Sequence, residues 1–273
     1  MNLRTIDDLD APELRAYRTL RRPDEHLREG LFIAEGEKVA VRLFKSGLEV
    51  VSVLLTPAWL QVHRPLIDVL RPAPKVFVAE KDLVETIVGF PLHQGIMALG
   101  RVPKPTTTED LLSSSARPRL LVALDGLANA ENVGVLVRNA VAFGATAIAA
   151  GETSSSPYLR RAVRNSMGNV FRIPVLHPAS LTAWLEDLRD EHGVRIVAAD
   201  ADARATPLHT CDLRGDVCLV FGSEGMGLRP EVLARCHDRA LIPMQDGVDS
   251  LNVASASAVM LYEAARQRSS LRP

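Results

Sequence analysis

The sequence predicts an α/β protein whose C-terminal half is built on a parallel sheet covered by helices. Three observations lead there. After residue 118, short continuous apolar runs alternate with helical patterns, and such runs are the signature of strands buried on both faces. A stretch rich in proline, serine and threonine separates this half from an earlier one of similar but looser pattern. Three apolar runs end in glycine-bearing polar segments, which places those segments at the sheet edge where open α/β folds bind ligands.

In the first half, residues 31–34 read as a strand, 35–46 as a helix and 50–55 as a strand. Strands at 75–78 and 95–99 follow, with a helix near 81–87 between them, and an N-terminal helix precedes them all. Residues 1–104 thus form a small α/β domain, 105–118 a linker with a short helix near 109–112, and 119–273 the main domain. There, strands are predicted at 120–124, 147–150, 194–199, 217–221 and 240–242. Helices are predicted at 132–143, closed by Gly144, and at 181–191 and 251–268.

The 273 residues leave room for two domains. A net charge of −1 argues against a non-specific nucleic-acid coat, though a local basic patch stays open. Aromatics at 4% leave few platforms for stacking single-stranded bases. The cysteines, Cys211, Cys218 and Cys236, form no C-x-x-C pair and are odd in number, so neither a metal site nor a disulfide framework is suggested. No apolar run approaches the ~20 residues of a membrane helix, and residues 1–10 are acidic without an apolar core. A cytoplasmic protein is expected.

The first glycine-bearing segment contains Asn132, Gly134 and Arg138. Asn132 is placed to cap a helix, and Arg138 stands among Val135, Leu136, Val137, Ala140 and Val141, so it is expected to meet an acidic partner or a cleft. The second is Gly222-Ser223-Glu224-Gly225-Met226-Gly227. It fits neither the dinucleotide fingerprint nor a phosphate-binding loop. Its glycines admit close approach of a flat ligand, or they make a plain tight turn. The third runs from Ile242-Pro243-Met244 to Ser250-Leu251-Asn252-Val253, where either Ser250 or Asn252 could cap the last helix. No histidine lies in these segments, which disfavours a serine–histidine–aspartate triad. His177 and His209 are expected at the surface.

Taken in order, LDGLANAENVGVLVRNA, LVFGSEGMGL and LIPMQDGVDSLNVASASAV resemble the three motifs of the SpoU/TrmH family of SPOUT methyltransferases, which methylate the ribose 2′-hydroxyl of RNA. The stretch from Arg161 to Gly168 resembles the family's segment between motifs one and two. More loosely, Phe32 to Lys38 and Leu43 to Gly47 resemble the ribosomal-protein-like substrate-binding domain of many members.

The resemblance implies a deep trefoil knot at the C-terminus, S-adenosylmethionine as cofactor, no metal, and a homodimer with its active site near the subunit interface. It implies cofactor contacts from Ala199, Gly222, Gly227, Ile242, Met244, Leu251 and Val253. Arg138 would assist deprotonation of the ribose hydroxyl, with Asn132, Glu224, Ser250 and Asn252 orienting it and the ribose. The RNA-binding candidates are Arg15, Arg18, Arg21, Arg22 and Arg28 near the N-terminus, then Arg160, Arg161 and Arg164. The extra N-terminal domain leans towards ribosomal over transfer RNA. A catalytically silent knotted RNA-binding protein and an unrelated nucleotide-cofactor enzyme are the competing readings. The intact set of Arg138, Glu224, Ser250 and Asn252 weighs against the first, and the missing phosphate fingerprint against the second.

Overall fold

The computed structural model describes residues 2–7, 11–20, 22–89, 95–202 and 204–269. The chain divides into two compact units. One comprises residues 1–104 and 158–172, the other 105–157 and 173–273, so the chain passes between them three times.

The first unit carries a five-stranded sheet of β1 (Asn2–Thr5), β2 (Leu31–Glu35), β3 (Val50–Leu55), β4 (Lys75–Val78) and β5 (Ile96–Arg101), in the order β1-β4-β3-β5-β2. β5 runs antiparallel to both its neighbours, and the other pairings are parallel. β1 is missing from the sequence reading because all four of its residues are exposed at the sheet edge, so no alternation marks it. In place of one N-terminal helix there are short helical turns at Pro12–Leu14, Arg15–Arg18 and Pro23–Arg28. Prolines open the first and last of these, and a proline disfavours helix at the residue before it. Tyr17 is fully buried, its hydroxyl 2.8 Å from Ser52 Oγ.

Residues 158–172 complete this unit. Phe32 on β2 packs between Phe171, with ring centroids 5.1 Å apart, and Tyr158, at 5.6 Å. A Cβ on Gly100 would lie 2.3 Å from the Phe32 ring, so the glycine in β5 is what admits that ring.

The second unit holds seven strands, all parallel: β6 (Leu120–Asp125), β7 (Ala147–Ala150), β8 (Val175–Leu176), β9 (Arg195–Ala199), β10 (Thr206–Pro207), β11 (Val217–Gly222) and β12 (Asp238–Leu241). Their order is β10-β12-β9-β11-β6-β7-β8. The chain builds outward from β6 to β8, returns to the other side of β6, and leaves β11 between β9 and β6. Every residue of β6 and β7 is buried, as their unbroken apolar runs predict. The segment 105–118 is packed here rather than free. Its helix Thr108–Ser114 buries Leu111 and Leu112 in the core with Leu185 and Ile196, and Thr108 Oγ1 accepts a 2.9 Å bond from Trp184 Nε1.

Phe32→Ala is expected to destabilise the first unit by about 3–5 kcal/mol, as for other buried aromatic truncations. It should also speed amide exchange across residues 158–172. Urea unfolding and hydrogen exchange check this, and unchanged exchange there would detach the segment from the Phe32 cluster.

Candidate active site

Because all strands of the second unit point the same way, β6, β9, β11 and β12 deliver their C-terminal ends to one edge. The segments after β9, β11 and β12 enclose a cavity of about 320 Å³. All seven residues expected at the cofactor (Ala199, Gly222, Gly227, Ile242, Met244, Leu251 and Val253) line it, as do Glu224 and Ser250. The sequence reading missed Asp200, Leu228, Ala256 and Met260, which also line it. Leu228 and Ala256 stand inside the second and third motif segments, whereas Asp200 and Met260 lie outside all three and are collected only by the folded edge.

The wall from β11 is a tight turn. Ser223 N donates to Gly227 O at 3.0 Å, and Gly227 N returns to Ser223 O at 2.9 Å. Gly227 has φ +66°, which favours glycine, and a Cβ on Gly222 would fall 2.4 Å from the Gly227 carbonyl carbon. The cavity therefore meets bare backbone on this side. Apolar walls from Ile242, Leu251, Val253 and Met260 with a few polar groups suit a mostly apolar organic ligand bearing an adenine-like plane. These features fit the cofactor that the motifs imply.

Beside the cavity, Glu224 gathers two amides. Asn132 Nδ2 donates to Glu224 Oε1 at 2.6 Å, and Asn252 Nδ2 donates to the same oxygen. Asn252 Oδ1 accepts from Ala254 N at 2.9 Å, capping the helix Val253–Ser269. Asn252 is thus both cap and site residue. Asn132 is not a cap: Asn129 caps the helix Ala130–Ala142 through Glu131 N at 2.8 Å, which leaves the Asn132 side chain free for Glu224. Ser250 is exposed and has no hydrogen-bond partner among the described residues. The two motif helices are joined by Asn139, whose Nδ2 donates to Ala254 O at 2.9 Å and to Ser257 Oγ at 3.0 Å.

Arg138 departs from expectation. Six residues separate it from Asn132, about 120° around the helix, and it is not among the residues lining the cavity. It is exposed and pairs with no acidic group among the described residues. The helix is not apolar all round: Val133, Gly134, Leu136, Val137 and Ala140 are buried, while Glu131, Arg138 and Ala142 form an exposed stripe. Next to it, the helix Val253–Ser269 exposes Val259 and Tyr262, and Tyr262 meets Phe143 edge-on at 6.0 Å.

At the loop's far end, Asp125 closes β6 with its side chain fully buried. It accepts from Arg229 N at 2.8 Å and Arg229 Nε at 2.6 Å. Arg229 Nη1 donates to Glu152 Oε1 at 2.8 Å, and Glu152 Oε2 accepts from Leu181 N at 2.8 Å. Burial opposes ionisation of Glu152, but the Leu181 amide and Arg229 outweigh it and hold its carboxyl below the ordinary range.

The arginines proposed for RNA are unequal. Arg15 pairs with Glu29 at 3.1 Å and Glu25 at 3.6 Å, and Arg22 with Glu25 at 3.2 Å. Arg160 is only 19% exposed and meets Glu35 at 2.8 Å, with Arg164 on the same carboxylate at 3.4 Å. Arg18, Arg28 and Arg161 are exposed. Arg21 lies outside the described residues. His177 and His209 are exposed. Among the described residues no group of three or more histidine, cysteine, aspartate or glutamate side chains is arranged to hold a metal, and no helix is long and apolar enough to cross a membrane.

The chain is similar to known proteins over most of its length. Residues 119–262 match the model of the SpoU rRNA Methylase family. An uncharacterized tRNA/rRNA methyltransferase of Mycobacterium tuberculosis is 31% identical over all of this chain and 95% of its own length. The 23S rRNA (guanosine-2'-O-)-methyltransferase RlmB of Acinetobacter baylyi is 33% identical over 70% of this chain and 77% of its own. Among solved structures, an AdoMet-bound rRNA methyltransferase from Sinorhizobium meliloti superposes with a TM-score of 0.82 over 97% of this chain and 98% of that one. At 24% identity this is a likeness of fold.

Gly222→Ala puts a methyl group into the Gly227 backbone. It is expected to weaken S-adenosylhomocysteine binding at least about tenfold, some 1.4 kcal/mol. Calorimetric titration measures it, and wild-type affinity in the folded variant would mean the turn does not shape the cavity.

Proposed function

We propose a function for this chain, which belongs to the SpoU rRNA methylase family: it methylates a ribose 2′-hydroxyl of RNA using S-adenosylmethionine bound in the cavity at the ends of β9, β11 and β12. The observation that carries the reading is the convergence of the second and third motif segments on that one cavity, with Asn132 of the first motif joined to its rim through Glu224, which also holds Asn252.

When bound, S-adenosylmethionine supplies an electrophilic methyl group on a cationic sulfur. The residues of the chain do the rest by positioning. Gly222 and Gly227 offer backbone to the cofactor, and Ala199, Ile242, Met244, Leu251 and Val253 exclude water around it. Glu224, fixed by its two amides, and the unpaired Ser250 hydroxyl hold the ribose. The ribose hydroxyl must give up its proton as its oxygen is methylated. A guanidinium offers only donors and positive charge, so Arg138 acts by stabilising negative charge on that oxygen, while an RNA phosphate accepts the proton.

The reading includes a homodimer in which Arg138 of one protomer serves the cavity of its partner. Its support is the exposed Arg138, which pairs with no acidic group among the described residues and does not line its own cavity, beside the exposed Val259 and Tyr262. It also includes a trefoil knot formed by the segment after β12, supported by the position of β11 between β9 and β6. The first unit binds the RNA, with Arg28 and Arg161 as its phosphate contacts because glutamates already occupy Arg15, Arg22, Arg160 and Arg164. Ribosomal RNA is the substrate proposed, in a cytoplasmic protein, and the named guanosine methyltransferase among the relatives supports it.

Labelled methyl groups are expected in a 2′-O-methyl nucleotide of 23S RNA after incubation with RNA from a strain lacking the protein. Label in transfer RNA instead would reassign the substrate, and none at all would favour a silent binding protein. Arg138→Ala should abolish transfer while leaving cofactor binding intact. Co-expression of Arg138→Ala with Gly222→Ala should restore about a quarter of the active sites, since half of randomly paired dimers would hold one intact site. No recovery would return Arg138 to its own protomer's cavity.

A further inference from the structure

We propose that Asp125, Arg229 and Glu152 are positioning residues that hold the turn 223–228 in the shape the cofactor needs. The inference rests on the reading of the cavity given above.

The turn is suspended between two points. At one end Gly222 is fixed by the sheet, paired with Asp125 of β6. At the other, Leu228 and Arg229 lead into the four-residue helix Pro230–Leu233, whose own N-cap position makes no side-chain capping bond. The sheet cannot restrain that end, because β11 has already stopped.

The Asp125 carboxylate supplies the restraint. One oxygen takes the Arg229 amide and the other takes its Nε, so backbone and side chain are gripped together. Glu152, in the loop after β7, takes Nη1 and is itself pinned by Leu181 N at the start of helix Leu181–Asp190. A further carboxylate, Glu231, lies 3.7 Å from Nη1. The turn's far end is thereby tied to β6, to the β7 loop and to a third helix.

Neither Asp125 nor Arg229 is among the residues lining the cavity, whereas Ser223, Glu224, Met226, Gly227 and Leu228, between the two anchor points, all are. The carboxylate has no exposed surface from which to touch a substrate. A chain-terminating cap would need only the amide bond. The additional charge-assisted bonds set the direction in which the backbone leaves the cavity. Arg229 therefore acts through the turn, and its lesion should appear first in cofactor affinity.

The full-length variants Arg229→Lys, Asp125→Asn and Glu152→Gln test this. The lysine keeps a charge but lacks the rigid planar fork whose Nε and Nη1 hold Asp125 and Glu152 at once. S-adenosylhomocysteine affinity should fall at least about tenfold in Arg229→Lys and less in Glu152→Gln. In the cofactor-free protein, amide exchange at residues 223–228 should quicken. The KM for S-adenosylmethionine should rise by more than kcat falls. If Asp125→Asn does not fold, the other two variants decide. Folded variants that bind as the wild type does, with unchanged exchange in the turn, would overturn the inference alone. A wild-type protein that fails to bind S-adenosylhomocysteine would overturn the cavity reading and this inference with it.

Discussion

β11 pairs in parallel with β6 on one side and β9 on the other, so that Gly222 lies level with Asp125 and Val220 with Ala198. Parallel pairing obliges the strand ends to share an edge, and the chain's return across β6 brings late segments beside early ones. Residues 90 to 120 positions apart, such as Asn132 with Glu224 and Asn252, can meet only because of that return. The cavity is a product of strand order, and its chemistry is whatever the segments after each strand carry.

Two different kinds of restraint keep that edge in shape. Around the cavity they are polar and local: amides on Glu224, a cap from Asn252, and backbone bonds closing the 223–227 turn. Away from it they are ionic and partly buried, as in Asp125, whose carboxylate is fully buried, with Arg229, which is half-buried. Breaking a buried pair by removing one partner costs on the order of 3–5 kcal/mol, because the remaining charge is stranded. Such a pair holds its geometry firmly, which suits a site whose ligand must meet backbone rather than adaptable side chains.

In the first unit the electrostatics sort candidates that look alike in sequence. Counterion release on RNA binding rewards a cation that is free to meet phosphate. Glutamates at 25, 29 and 35 already pair with Arg15, Arg22, Arg160 and Arg164. The same contacts show why residues 158–172 cluster with residues 1–104: Arg160 reaches Glu35 on β2, and Phe171 reaches Phe32.

The amino-acid sequence alone determined the α/β class and the buried strands β6, β7 and β11, and through its resemblance to the SpoU/TrmH motifs it named part of the cavity lining. Those features are written locally, in unbroken apolar runs and in glycines next to strand ends. It left out β1, which is exposed on an edge and has no periodicity, and it kept a cap as one of two readings of Asn132, a role that Asn129, three residues earlier, takes instead. It also read Arg138 as part of an apolar helix, since a few valines and alanines blur the exposed stripe at 131, 138 and 142. The pairing of Asp125 with Arg229, the partners of Glu224 and the paired arginines were decided only by tertiary structure. Asp125 with Arg229, Asn132 with Glu224 and Arg160 with Glu35 join residues far apart in the chain, and strand order, which no local pattern encodes, sets which of these groups come within bonding distance, whereas Arg22 and Glu25 are only three residues apart.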